Sequence, residues 1–311
     1  MQPDYDAVRR KYLKALAERT GRSTILYATD FLSGVAPASA VTINLMDVQA
    51  MMEVLKDLPG PNLDLILHTP GGSPEALESV VRYLRTRFDH IRAFIPLAAM
   101  SAGTMWALAC DEIYMGKHSQ LGPIDPQFAL AFGEQIRLAP AQAILDQFEY
   151  AKEQCKDADN LPAWITVLRS YGASLLEECR KAQELSETLV SQWLETYMFR
   201  DLLSRSAHAK EVAKKFADYQ LHYSHGRPIS RDQARDYGVN VKDLEEDQDL
   251  QDAVLSVFHA TAHTLGGTPC VKLVENNIPR TFALLGGVVQ IQVPAQQPPS
   301  PQPGGPPQQA P

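Results

Sequence analysis

Short apolar runs alternate with amphipathic stretches through the first third of the chain, and this alternation limits the fold more than any other feature. Residues 23–28, 63–67, 91–97 and 113–115 each read as a buried strand. Residues 47–58, closed by Pro59-Gly60, residues 74–88 and the stretch after Ser101 each read as a helix. Strands this apolar, separated by helices, pair in parallel with the helices crossing over the sheet faces.

Two of the strand ends carry unusual loops. The run at 91–97 passes into Ala98-Ala99-Met100-Ser101-Ala102-Gly103-Thr104-Met105, a small-residue turn leading into an apolar helix. A serine hydroxyl at that junction sits where unpaired backbone N–H groups can stabilise a developing negative charge. Acyl transfer needs this arrangement, because its tetrahedral intermediate places an oxyanion beside the nucleophile. The N–H of Ala102 is one candidate donor. The run at 63–67 ends in His68-Thr69-Pro70-Gly71-Gly72, where paired glycines let the backbone approach a ligand closely. An ordinary helix N-cap is the competing role for Ser101, and the Pro-Gly-Gly loop one strand earlier favours the nucleophile.

The segments HTPGGSPEALESVVRYLR and AAMSAGTMWALACDEIYMGKHSQLGPIDPQ resemble the Clp protease and signal peptide peptidase A superfamily, which shares its fold with the crotonases. Ser-Ala-Gly-Thr together with Leu-Gly-Pro-Ile-Asp-Pro-Gln is similar to the serine dehydrogenase proteinase family within it. The resemblance covers about residues 9–241. It implies an α/β ClpP/crotonase-like fold of repeated β-β-α units with a helical extension, and a serine peptidase acting through an acyl-enzyme on Ser101. It also implies Gly72 and Ala102 as oxyanion donors, with Gly71 and His68 beside the substrate. Subunits of this fold commonly enclose their sites in oligomers, so a homo-oligomer is expected, with no cofactor and no metal. A crotonase-like acyl-CoA enzyme and a non-catalytic scaffold of the same fold are the alternatives.

The serine needs a base. In Clp subunits a histidine follows the nucleophile by roughly two dozen residues, but here that region reads Leu121-Gly122-Pro123-Ile124-Asp125-Pro126. In the signal peptide peptidases a lysine lies about fifty residues past the serine, and Lys152 stands 152 − 101 = 51 residues on. At 100° per residue Lys152 falls inside the apolar stripe Ile144, Leu145, Phe148, Ala151, Cys155, whereas Lys156 falls at its edge. A lysine on a buried face loses hydration and becomes neutral enough to accept a proton. Lys156 and Lys117 are the other lysine candidates. His118 reads as a surface turn, and His222 and His225 as a loop without an acidic partner, not a metal pair.

Organisation follows from composition shifts. The reading is an N-terminal helix over 1–22, a catalytic core over 23–138 and a helical extension over 139–220. Residues 221–293 then close the fold, with Ser230 as a helix cap, and 294–311 form a disordered Pro/Gln-rich tail that could hold a separate partner. Residues 282–291 read as a late strand or hairpin of unknown placement. The polar N-terminus reads as neither signal nor anchor, and no run of about 18 apolar residues exists to span a membrane. A net charge of −8 argues against nucleic acid. Four cysteines without metal spacing suggest reduced core residues, hence a cytoplasmic protein. No P-loop sequence is present, so any ATPase would be a separate chain.

Overall fold

Parallel pairing of the sequence-read strands produces the main sheet. A computed structural model describes residues 4–132 and 135–286. Its seven-stranded sheet runs in the order Val241–Asp243, Glu112–Met115, His90–Ile95, Asn62–His68, Ser23–Thr29, Cys270–Asn276, Thr281–Leu285. The first five pair in parallel and the last two antiparallel. The helices Met46–Leu55, Pro74–Arg85 and Ala102–Leu108 cover one face, over a core that includes Tyr27, Leu65, Leu67, Met105 and Trp106. The helices Tyr5–Thr20 and Gln248–Gly267 cover the other, over Leu26, Ala28, Ile66 and Phe94. This mixed α/β architecture is the one the resemblance implies.

Local chemistry explains the boundaries near the turns. Ser73 caps the helix Pro74–Arg85 by accepting the Ala76 N–H, with Pro74 at a position that needs no donor. Ser230 makes a full capping box with Gln233, as read from the sequence.

The C-terminal part differs from what periodicity suggests. Residues 270–276 form the sixth strand of the sheet, beside the edge strand, although Lys272 and Glu275 interrupt its apolar pattern. Both charges are buried and paired. Glu275 accepts from Arg9 Nε at 2.5 Å and Arg10 Nε at 2.7 Å, which ties the first helix to this strand. The acidic run 243–249 leads into the long helix Gln248–Gly267, capped by Asp247. Of the 282–291 run, residues 282–285 belong to the edge strand Thr281–Leu285. Residues 287–291, and the tail 294–311 that could hold a separate partner, lie outside the described residues.

Beyond Asp125 a hairpin, Gln127–Phe132 against Gln135–Pro140, leads into the helix Ala141–Gln154. This helix packs on the first half of the helix Leu175–Thr196 through Ile144 and Cys179. That small cluster is separate from the main core and forms an arm. The second half, Leu189–Leu194, packs into the main core. Among the described residues no helix is long and apolar enough to cross a membrane.

Candidate active site

Ser101 does not behave as a cap. Its backbone sits at φ 52°, ψ −120°, and its side chain makes no capping hydrogen bond. The Gly103 N–H donates to the Met100 carbonyl at 2.7 Å, closing a four-residue turn with Ser101 second. These angles are those of the second position of a type II′ turn, which favours glycine. A serine there carries strain of order 1–3 kcal/mol, and the surroundings must hold it. Thr104 supplies part of that hold, its hydroxyl donating to the Ala99 carbonyl at 2.7 Å and accepting the Gly122 N–H at 2.8 Å. The Leu-Gly-Pro loop is thereby tied to the elbow.

The glycine loop lies against this elbow with no room for a side chain. A Cβ on Gly71 would stand 2.7 Å from Ala102 N and 2.9 Å from Ser101 Cβ, and φ there is +96°. The loop's opposite side is clamped by Ile43, whose N–H donates to the Gly71 carbonyl at 2.7 Å and whose carbonyl accepts the Ser73 N–H at 2.9 Å. In a trans peptide the Gly72 N–H points opposite to the Gly71 carbonyl. The Gly72 N–H therefore faces away from Ile43. A Cβ on Gly72 would fall 2.3 Å from the Ile43 carbonyl oxygen and 2.4 Å from its nitrogen, so Gly72→Ala must shift the loop. If Gly72 is the oxyanion donor that the resemblance implies, the variant folds and peptide hydrolysis falls about 100-fold, the scale for losing one such donor; steady-state kinetics with a fluorogenic peptide checks it.

The Gly122–Asp125 segment leaves a small three-stranded sheet at the same end as Ser101. Ala98–Ala99 pairs in parallel with Gln120–Leu121, which pairs antiparallel with Ile229–Ser230. The residues before Ile229 therefore arrive at that end too. Among them, His225 meets the buried Asp125, Nδ1 to Oδ1 at 2.8 Å, and Gln127 Nε2 donates to the other carboxylate oxygen at 2.8 Å. The sequence reading missed this pair. A spacing of a hundred residues hides it, and only the Asp125-Pro126 turn hints at a fixed carboxylate.

Lys152 departs from its expected place. Its side chain is 58% exposed and bonds to Glu149 at 2.7 Å. The helix Ala141–Gln154 buries Ala141, Ile144 and Ala151, a narrower stripe than the sequence suggested, and Lys152 lies 100° away from Ala151. Gln142 bonds to Gln183 and Tyr171 to Gln147, so the helix runs outward, away from the core-packed residues 189–194. Lys152 sits roughly 15 Å beyond Gln142 along that axis. Lys156 is also exposed, paired with Glu153 at 2.5 Å. Lys117 and His118 occupy the exposed surface turn read from the sequence.

His68, expected to contact substrate, is instead 5% exposed and wedged between Phe31 and Phe258. Burial lowers its pKa to about 4, against the raising effects of the Ala98 carbonyl and Asp30, and its Nδ1 has no partner. The unfolded chain takes up this proton near pH 6.5, while the folded chain resists it until about 4. Stability is thus full above 6.5 and is lost as pH falls toward 4, by about 3 kcal/mol from this group. Thermal melts between pH 7 and 4 should show that fall, and His68→Phe should flatten it.

Residues 40–259 match the family of ClpP-like SDH-type serine proteinases. The chain belongs to that family. Its proteinase fold is the sheet described above, with the Ser101 elbow and the glycine loop inside the matched region. The uncharacterized protein MJ1495 of Methanocaldococcus jannaschii is 28% identical over 64% of this chain and 59% of its own length. A second uncharacterized protein of that organism, MJ0137, is 31% identical over 50% of the chain and 55% of its own length. The chain thus spans less than two thirds of these relatives. Among solved structures, a variant of the 1510-N membrane-bound stomatin-specific protease is 15% identical at a TM-score of 0.39, covering 68% of this chain and 79% of that one. A ClpP1 variant from Listeria monocytogenes is 13% identical at a TM-score of 0.36, covering 76% and 98%.

Proposed function

We propose that this proteinase-family member cleaves peptide bonds of proteins or peptides through an acyl-enzyme on Ser101. The Ser101 Oγ attacks the scissile carbonyl carbon while its proton passes to a base. The oxyanion is held by the N–H groups of Gly72 and Ala102, the base returns the proton to the leaving amine, and water then cleaves the ester. The observation that carries this reading is the strained φ of Ser101 against Gly71, for which neither a helix cap nor a crotonase-like acyl-CoA site with an incidental serine gives a reason. Labelling by a fluorophosphonate probe, present in the natural chain and lost in Ser101→Ala, tests it.

The base is assigned to Lys152 of a second copy. Support comes from the arm's apolar helix Leu161–Arg169, which buries none of its own residues, with Leu161 44% and Ile165 38% exposed. A homo-oligomer covers such a face, desolvates the neighbouring Lys152 and brings it to another chain's elbow. The Asp125–His225 pair favours a second reading, with the base inside one chain. Four free cysteines, three of them buried, support a reducing, cytoplasmic setting.

A further inference from the structure

Lys272 and Asp47 are sealed under the helix Met46–Leu55 at 1% and 0% exposure. The Lys272 Nζ donates to both Asp47 carboxylate oxygens, at 2.9 and 3.0 Å, and to the Thr42 carbonyl at 2.9 Å. The Tyr27 ring lies beneath the ammonium at 5.7 Å. Stability alone does not account for such a pair. Two buried charges lose their hydration, and well-packed apolar residues of similar volume often hold a core as well or better.

What the pair holds is a three-residue stretch. Lys272 grips the Thr42 carbonyl on one side, and the Asp47 Oδ2 accepts the Asn44 N–H at 2.8 Å on the other. Between them stands Ile43, the residue that clamps Gly71 and Ser73. Both neighbours of the clamp are therefore fixed by one ion pair. A charge-assisted bond is stronger and more directional than apolar contact, and an oxyanion donor must be held within about half an ångström.

We propose that Asp47 and Lys272 are positioning residues that act through Ile43 to aim the Gly72 N–H at the oxyanion. This rests on the peptidase reading above. The assignment reaches residues about two hundred positions apart in sequence, neither of which touches substrate.

The test is the double variant Asp47→Leu/Lys272→Met, which replaces both charges with apolar side chains, assayed on a fluorogenic peptide beside Lys272→Arg and Ser101→Ala. The expected result is a folded double variant with kcat down at least about 10-fold and KM within twofold, while Lys272→Arg keeps most of kcat. A folded double variant with wild-type kcat overturns the inference. Should the double variant not fold, hydrogen exchange in the natural chain decides: the Ile43 and Ser73 amides exchange in step with those of the strand Cys270–Asn276, or, if they exchange much faster, the clamp is not held and the inference fails. Activity in Ser101→Ala equal to the natural chain's would instead sink the peptidase reading itself.

Discussion

Replacing Ser101 with glycine should give a protein that is more stable than the natural one and hydrolyses nothing. The two effects have one cause. Ser101 is held at φ 52°, a conformation costing a non-glycine residue about 1–3 kcal/mol, whereas glycine adopts it freely at an entropic cost of roughly 0.5–1 kcal/mol. The net gain is about 1 kcal/mol, visible as a rise of about 1–2 °C in Tm. The hydroxyl is lost with the strain, so turnover of casein or a fluorogenic peptide should fall by at least about three orders of magnitude, as for other nucleophile deletions. Ser101→Ala shares the loss of activity but keeps the strained φ, and should not gain stability. Equal turnover by either variant and the natural chain would end the assignment of Ser101, whatever the stability result.

The second large effect separates two bases. If Lys152 serves the elbow of another copy, Lys152→Met should be inactive by orders of magnitude. Co-expressed with the equally inactive Ser101→Ala chain, it should recover activity. A working site then needs a serine from one kind of chain and a lysine from the other, so random assembly gives about a quarter of wild-type turnover. Lys156→Met, farther along the arm, should stay active. Inactive mixtures from two folded, co-assembled variants would rule out sharing between chains. An active Lys152→Met together with a His225→Ala that loses about 10²–10⁴-fold would move the base to the Asp125–His225 pair.

The parts of the fold built from local apolar runs were readable: the parallel strands through Met115, the helix capped at Ser73 and the cap at Ser230 all sit within a few residues of their sequence positions. What escaped was whatever depends on distant charge partners. The strand Cys270–Asn276 carries Lys272 and Glu275 in its interior, so its pattern resembles an exposed segment until Asp47 and Arg9 neutralise them. His225 looked partnerless because its carboxylate lies far upstream. Lys152 was misplaced for the opposite reason, since helical periodicity fixes an angle around the axis but not which sector the rest of the chain covers.

The antiparallel pairing of Ser23–Thr29 with Cys270–Asn276 has a temporal meaning. A ribosome adding about 5–20 residues per second delivers the Ser101 elbow and the glycine loop many seconds before Lys272 emerges. Until then Asp47 has no cation and the edge of the Ser23–Thr29 strand is bare, and contacts of such long sequence separation form late. On the peptidase reading proposed above, the nascent chain would carry Ser101 through synthesis with the Asp47–Lys272 brace still unmade, so the site would stay incomplete until translation has passed residue 276.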